Sequence, residues 1–191
     1  NSEVQAHERA SGWRPALDDG PRDTYQFLAS LQPAGDHGET FQYCSADTEV
    51  LAWIVERLTG RPFAETWATA RWSKIGAEHD AYVVVDAAGF PAASGGLCVT
   101  LRDLARFGRV ILDGGRGPEG RQVIPTDWIA DVRRGGDPAA AVTEMGEAHP
   151  GGSYRNQFWI TGDEHGCFYG VGIFGQYLWL NPATDVVIAK L

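Results

Sequence analysis

Tyr43, Cys44 and Ser45 lie at the start of a segment, Ser45 to Thr59, in which apolar residues recur at helical spacing. A tyrosine near a helix N-terminus lies at the positive end of the helix dipole, which favours a phenolate, and a tyrosinate can act as a general base. Ser45 has a side chain of the type that caps helices. In a plainer interpretation Ser45 only caps the helix and Tyr43 packs in the core. The local sequence by itself favours that interpretation, because such caps are common.

A run of small residues from Ala92 to Gly96 contains a second candidate, Ser94. Small residues line sites where a ligand or another backbone segment must fit closely. They also form ordinary loops, because glycine permits unusual backbone dihedral angles. The local sequence does not choose between a ligand site and a structural loop.

Gly170, Gly172 and Gly175 satisfy the pattern GxGxxG, which in dinucleotide-binding proteins places a pyrophosphate at a helix N-terminus. That mechanism requires a helix after the last glycine. Here Gln176 to Pro182 instead has the composition of an aromatic strand closed by a turn. We therefore expect these glycines to allow close approach to the backbone of an active-site edge strand, where main-chain N–H groups can bind an acyl group.

Other catalytic and metal-binding patterns are absent from the sequence. It contains no GxSxG, HExxH or Ser-x-x-Lys motif, and its five histidines show no metal-ligand spacing, so we predict no metal and no cofactor. Cys44, Cys98 and Cys167 are odd in number and widely spaced, which indicates free buried thiols in a cytoplasmic rather than an exported protein. A Cys-His nucleophile at Cys44 or Cys98 is an alternative without a recognisable motif.

Composition limits the classes of partner. The 191 residues are 43% hydrophobic and 11% aromatic, enough for the core of one domain of ordinary size. Sixteen basic and 25 acidic side chains give a formal net charge of -9, which opposes binding to nucleic acid and to anionic lipid. No apolar run approaches the roughly 20 residues that a membrane helix requires. We therefore expect neither nucleic acid nor a membrane as a partner.

Helices in the first two thirds and strands in the last third must position these candidates. The predicted helices span Tyr25 to Leu31, Ser45 to Thr59, a segment from a capping box at Thr100 and Asp103 to a stop at Gly114, and a segment from Pro125 through Val132. The predicted strands are residues 82–86 and an antiparallel three-strand meander made of residues 157–161, 167–180 and 186–191. Helices first and strands last favour an α+β fold.

Three long segments together resemble a known family. They are Phe41 to Arg57, Ala93 to Gly108 and Gly172 to Pro182, and shorter matches occur at Gly12 to Pro15 and Asp113 to Gly115. They resemble the 6-aminohexanoate-dimer hydrolases, which belong with class C β-lactamases, DD-peptidases and related esterases. The resemblance implies a partial β-lactamase-like fold, in which this chain supplies the helical region and the C-terminal antiparallel strands of the sheet.

The resemblance also implies roles for individual residues. Tyr43 falls on the catalytic Tyr of the family's Tyr-x-Ser/Asn motif, and Ser45 occupies its third position. Ser94 falls at a substrate-side position that varies in the family. Residues 172–177 match the strand whose backbone supplies an oxyanion donor, which implies substrate-binding positions at Phe174, Gly175 and Gln176. Phe174 replaces a basic or His side chain frequent there, so neutral amides or esters are favoured over carboxylate-bearing substrates.

The missing Ser-x-x-Lys motif is the main departure from the family, because its Ser is the nucleophile. We expect residues 1–191 to be the C-terminal part of a longer hydrolase domain, inactive alone, with the nucleophile segment and the last helix absent. The expected partner is then a small-molecule amide or ester, with a homodimer as an open option. A non-catalytic binding protein on the same fold is the alternative, and a dinucleotide-binding domain is the weakest hypothesis.

Overall fold

The computed structural model describes residues 2–33, 38, 41–145 and 149–191. The helices within these residues are α1 Ser2–Ala10, α2 Thr24–Ser30, α3 Ser45–Thr59, α4 Phe63–Ala70, α5 Leu101–Leu112, α6 Thr126–Arg134 and α7 Pro138–Met145. The strands are β1 Tyr82–Val83, β2 Leu97–Cys98, β3 Ser153–Arg155, β4 Phe158–Ile160, β5 Phe168–Val171, β6 Tyr177–Asn181 and β7 Val186–Lys190. None of the described helices combines the length and apolar character needed to cross a membrane.

The chain divides into two compact units. The first unit comprises Asn1–Asp36, Cys44–Ala68 and Ala81–Cys98, and the second comprises His37–Tyr43, Thr69–Asp80 and Val99–Leu191. The first unit holds α1 to α3, most of α4 and the β1–β2 pair. The second holds α5 to α7 with the main sheet. Helices and antiparallel strands together confirm the predicted α+β class.

Helix α3 has the predicted bounds, Ser45 to Thr59. Gly60 ends it in the left-handed conformation, with φ of 67°, and donates its N–H to Glu56 O at 2.8 Å. The prediction that Ser45 caps the helix is wrong. Cys44 is the N-cap and makes no side-chain capping bond, because its backbone is still extended and the helical geometry begins at Ser45. Ser45 therefore does not cap α3, contrary to the plainer interpretation.

The first unit has its own small core, in which α1, α2 and α3 pack together. Its buried members are Ala10, Phe27, Leu28 and Ala46. The predicted strand at residues 82–86 is shorter in the structure, because only Tyr82–Val83 pairs with β2 while Val85 makes an isolated bridge to Pro91. Asp86 accepts the N–H of Thr24 at 2.7 Å, which fixes the segment after β1 to the start of α2.

The second unit is built on a five-stranded antiparallel sheet in the order β3-β4-β5-β6-β7. The predicted three-strand meander is therefore incomplete, since β3 was not expected and the predicted strand 167–180 is two strands. Its middle, residues 172–176, is a tight turn in which Gly172 N–H donates to Gln176 O at 2.9 Å. Gly175 adopts a φ of 84°, which breaks the extended backbone there. The expectation of a continuous strand through Gly172 to Tyr177 is wrong.

Helix α5 packs on the inner face of this sheet. The capping box predicted at its start is present, with Asp103 N–H donating to Thr100 Oγ1 at 3.2 Å and Thr100 Oγ1 donating to Asp103 Oδ2 at 2.8 Å. Buried aliphatic side chains of the helix meet Leu178 and Leu180 of β6, and Val187 of β7 packs at the border of the same core. The core of the second unit therefore begins between α5 and the last two strands and continues through buried residues of α6, β4 and β5: Ile129, Val132, Phe158, Ile160 and Phe168.

We expect Gly108→Ala to destabilise the protein although alanine is the better helix former. A Cβ at Gly108 would lie 2.7 Å from Val187 Cγ1 and 2.9 Å from Leu178 Cδ1, so these side chains or α5 itself would have to shift. Overpacking of this kind costs about 1–3 kcal/mol, and the gain in helix propensity of about 1 kcal/mol offsets only part of it. Urea denaturation measures the change in the free energy of unfolding.

Gly170→Ala is the matched control, because a Cβ at Gly170 meets nothing within 4 Å and its φ is not positive. We expect this variant to change the free energy of unfolding by less than about 0.5 kcal/mol. Equal destabilisation by both variants would show that close approach of α5 to the sheet is not the cause.

Candidate active site

Tyr43 lies in a cluster of four aromatic rings in the second unit, together with Phe41, Tyr154 and Trp159. Its ring stacks on Trp159 with centroids 5.8 Å apart and planes 16° apart, and it meets Tyr154 edge-on at 5.8 Å. Tyr154 and Trp159 are cross-strand partners of β3 and β4, so the edge of the sheet sets the position of the tyrosine ring. Tyr43 remains 45% exposed. The alternative that Tyr43 is a buried core residue is therefore wrong.

The two tyrosines of this cluster differ in their surroundings. Burial, and secondarily the neighbouring Tyr43, raises the pKa of Tyr154 well above its ordinary value. Tyr154 therefore stays neutral at physiological pH, and its hydroxyl donates to Gln157 Oε1 at 3.1 Å. Tyr43 is the more exposed tyrosine of the pair.

Ser45 and Ser94 belong to the first unit, where Glu49 connects them. Ser45 and Glu49 are four residues apart in α3 and so lie on the same face of that helix. Ser94 donates its hydroxyl to Glu49 Oε1 at 2.7 Å and its N–H to the same oxygen at 3.1 Å, while Ala93 N–H donates to Oε2 at 3.0 Å. The loop with Ser94 is therefore fixed to the N-terminal half of α3.

Glu49 is a completely buried acid, with 0% of its surface exposed. Burial by itself would raise its pKa, but the polar groups of His7, Ser94 and Ala93 outweigh burial and hold the pKa of Glu49 below its ordinary value. The His7 Nε2 atom lies 3.7 Å from Glu49 Oε1, beyond hydrogen-bonding distance but within the range of an ion pair when the imidazole is protonated. Sequence reasoning missed Glu49. The available signal was an acid placed between Ala46 and Ala52 on the buried stripe of α3.

Phe174, Gly175 and Gln176 lie at the tip of the β5–β6 hairpin in the second unit. Phe174 is 83% exposed, and its N–H donates to Gln176 Oε1 at 3.1 Å. Gly175 N–H donates to Gly172 O at 3.1 Å. The N–H groups of Gly172, Phe174 and Gly175 are thus bonded within the hairpin, so an oxyanion donor from this segment would have to be a different amide.

The positively charged side chain of Lys190, which the sequence did not single out, lies beside this hairpin. Lys190 of β7 pairs with Tyr177 across the strands, and its Nζ lies 5.9 Å from the centre of the Tyr177 ring. A Cβ built on Gly175 would be 3.7 Å from that Nζ. The proximity of Lys190 to the hairpin depends on the register of β6 and β7, which the sequence alone does not give.

Among the described residues, Glu78, His79 and Asp103 form a group whose potential ligand atoms lie within 4.8 Å of one another. The Asp103 carboxylate already accepts the N–H of Glu78 at 2.8 Å and receives the Arg106 guanidinium at 3.0 Å. A positive side chain therefore compensates the buried charge, and the group is better described as a structural ion-pair network than as a metal site.

The free thiols differ in burial. Cys167 is buried, whereas Cys44 and Cys98 are exposed, so the expectation of three buried thiols is correct only for Cys167. The segment from Gly170 to Gly175 leads into strand β6 and not into a helix, which removes the geometry that a dinucleotide-binding fingerprint requires.

Comparison with known proteins gives consistent matches along the chain. A family model described as Beta-lactamase matches residues 5–191. The chain is 52% identical over 192 residues to a 6-aminohexanoate-dimer hydrolase from Paenarthrobacter ureafaciens, an alignment that covers 100% of this chain and 48% of that protein. The chain thus spans about half the length of the curated relative it matches.

Solved structures agree with this match. The structure titled "Putative 6-aminohexanoate-dimer hydrolase from Bacillus anthracis" superposes with a TM-score of 0.86 at 34% identity, over 99% of this chain and 48% of that one. EstCE1, described as a hydrolase with promiscuous acyltransferase activity, superposes with a TM-score of 0.68 at 15% identity, over 87% of this chain and 54% of that one. At that identity the second likeness shows the fold alone.

Proposed function

This chain belongs to the beta-lactamase family, whose matched relatives are hydrolases, and from that premise we propose that it works as part of a serine hydrolase. The proposed substrates are linear amides of the 6-aminohexanoate-oligomer kind or carboxylic esters, cleaved through an acyl-serine intermediate. The observation that carries the proposal is Tyr43, held on Trp159 with 45% of its surface exposed, in a chain 52% identical to a 6-aminohexanoate-dimer hydrolase.

In the proposed reaction Tyr43 is the general base. Its phenolate takes the proton of a serine hydroxyl as the serine oxygen attacks the carbonyl carbon, and the resulting phenol then gives that proton to the leaving amine or alcohol. Water attacks the acyl-serine ester in the second half of the cycle, and Tyr43 again accepts and returns a proton. The serine comes from outside these 191 residues, which contain no Ser-x-x-Lys motif.

The exposed apolar tip of the β5–β6 hairpin supports a linear, largely apolar substrate. Ile173 and Phe174 are 66% and 83% exposed, and large apolar side chains held in solvent at a hairpin tip commonly mark a contact surface. Lys190, beside the same hairpin, supplies a positive charge near that surface. Lys190 therefore supplies, at this end of the sheet, the positive charge that Phe174 lacks. A substrate with a carboxylate at one end remains compatible with the proposal.

The test is to express the complete open reading frame that contains this chain. We expect it to encode a Ser-x-x-Lys motif before residue 1, to react covalently with a fluorophosphonate at that serine, and to hydrolyse a p-nitrophenyl ester or the linear 6-aminohexanoate dimer. Comparing the two substrates decides between ester and amide preference. A reading frame without the motif, or a folded product that turns over neither substrate, would overturn the proposal in favour of a non-catalytic binding protein.

A further inference from the structure

A cavity of about 220 Å³ lies entirely within the second unit, beside the start of α7 and strand β3. The residues that line it are Gly38, Phe41, Asp137, Ala140, Ala141 and Tyr154. Pockets for drug-sized ligands measure about 300–1,000 Å³, so this cavity is small. Because a water molecule occupies about 30 Å³ in the liquid, the cavity has room for a molecule of about five to seven non-hydrogen atoms.

Two aromatic rings and two alanines form the apolar part of the cavity. The rings of Phe41 and Tyr154 stack with centroids 4.9 Å apart, and Phe41 N–H donates to Ala140 O at 3.2 Å, which joins the aromatic pair to α7. Burial raises the pKa of Tyr154, so its ring carries no charge at neutral pH. Neutral aromatic rings attract a cation that lies over their faces. These walls therefore suit an alkyl chain that carries a positive charge.

Asp137 is the charged group among the lining residues. It directly precedes Pro138, the first residue of α7, and its Oδ1 atom accepts the N–H of Ala139 at 2.9 Å. This capping bond fixes the orientation of the carboxylate before any ligand binds. Within the described residues the Oδ2 atom accepts no hydrogen bond, and the side chain is exposed. The cavity thus has one oriented, negatively charged acceptor.

The arginines that are near Asp137 in sequence or follow Tyr154 do not cancel this charge inside the cavity. Arg134 and Arg155 both pair with Asp131, and neither of them lines the cavity. Arg133 does not line it either. The formal net charge of -9 on the whole chain also favours the approach of cations over that of anions.

We propose that this cavity binds a small alkylammonium ion, with the ammonium group at Asp137 Oδ2 and the alkyl chain against Phe41 and Tyr154. The carboxylate accepts the N–H groups and neutralises the charge, and the chain covers apolar surface that is otherwise wet. The inference goes beyond the proposed function, because it assigns a second binding site whose ligand need not be the molecule that is cleaved.

The experiment uses butylammonium, butanol and butyrate, which share a four-carbon chain and differ in charge. Binding to the complete polypeptide that contains this chain is followed through the NMR shifts of the Ala140 and Ala141 amides, so the measurement does not depend on turnover. We expect butylammonium to bind about fivefold more tightly than butanol, the contribution of one exposed ion pair, and butyrate not to bind. Added salt should weaken the binding of butylammonium but not that of butanol.

Asp137→Asn is the variant that removes only the charge, because asparagine caps helices as well as aspartate does. We expect it to abolish the preference for butylammonium over butanol. Asp127→Asn is the matched control, since Asp127 is an exposed acid in the first turn of α6 and does not line the cavity. The preference should be unchanged in this control.

Ala140→Leu tests the location, because a larger side chain fills the cavity while leucine remains a good helix former. We expect it to abolish butylammonium binding. Equal affinities for butylammonium and butanol, a preference that persists in Asp137→Asn, or butylammonium binding that survives in Ala140→Leu would each overturn the inference. A polypeptide that shows the expected preference but hydrolyses neither ester nor amide would overturn the proposed function and support this inference.

Discussion

We expect that replacing Tyr43 with phenylalanine lowers the kcat of the proposed complete hydrolase by about 10²–10⁴-fold, the usual range for removing a general acid–base group. The variant keeps the aromatic ring, so the stacking on Trp159 and the edge contact with Tyr154 are retained. Only the hydroxyl to which the proposed mechanism assigns the proton transfer is lost. We therefore expect KM and the free energy of unfolding to change little, and steady-state kinetics with a p-nitrophenyl ester measures the effect.

Tyr154→Phe is the matched control in the same cluster. It removes a hydroxyl that donates to Gln157 and belongs to a tyrosine whose pKa is raised by burial. We expect kcat to fall less than about threefold, in line with the loss of one ordinary hydrogen bond. If both variants lose activity equally, the aromatic cluster rather than the Tyr43 hydroxyl is what catalysis needs.

Replacing Asp103 with asparagine lowers the free energy of unfolding by about 3 kcal/mol, the largest effect on stability that we expect. The carboxylate is completely buried and accepts hydrogen bonds from Glu78 N–H, Thr100 Oγ1 and the Arg106 guanidinium. An amide group in its place turns an N–H towards one of these donors and removes the charge that pairs with Arg106. A buried donor left unsatisfied costs about 1–3 kcal/mol by itself.

The effect should depend on pH in a defined direction. Burial by itself would raise the pKa of Asp103, but the hydrogen bonds from Glu78, Thr100 and His79 and the charge of Arg106 lower it to about 2. A carboxyl whose pKa is lower in the folded than in the unfolded state stabilises the protein above its unfolded pKa of about 3.9. That stabilisation is lost as the pH falls towards 2, so the gap between wild type and Asp103→Asn should narrow there.

Glu78→Gln is the control for this prediction, because Glu78 is exposed and pairs with Arg102 and Arg106 at the surface. Exposed ion pairs contribute about 1 kcal/mol or less. Chemical denaturation of the three proteins across acid pH measures both effects. A Glu78→Gln variant as unstable as Asp103→Asn would place the stabilising interaction in the surface pair.

Helices α3 and α5 could be predicted from sequence because local signals agreed at both ends. Each has an apolar stripe at helical spacing, and Gly60 and the Thr100–Asp103 capping box mark their limits. Helix α1 was missed because its sequence is mostly polar and charged, and it is held by packing of Ala10 in the small core of the first unit. Such packing depends on residues far along the chain.

The residues of the candidate site also fall into those that local sequence predicts and those that only the folded chain brings together. Tyr43 could be predicted because its position before α3 is a local feature and because it matches a family motif. The Glu49–Ser94 pair could not, because its members are 45 residues apart and meet only in the folded chain. The β5–β6 hairpin was mistaken for a strand because its glycines fit both close approach and a tight turn. The positive φ of Gly175 in the structure distinguishes the turn from a continuous strand.

The stacking of Tyr43 on Trp159 has an optical consequence. A tyrosinate absorbs at wavelengths where an indole emits, so it can accept excitation energy from a neighbouring tryptophan, whereas a neutral tyrosine cannot. With ring centres 5.8 Å apart and planes within 16°, Trp159 lies close enough to the Tyr43 ring for such an energy transfer. The proposed base thus has an emissive neighbour, and the emission that is lost in the Trp159→Phe variant is the signal by which proton transfer at Tyr43 can be tested.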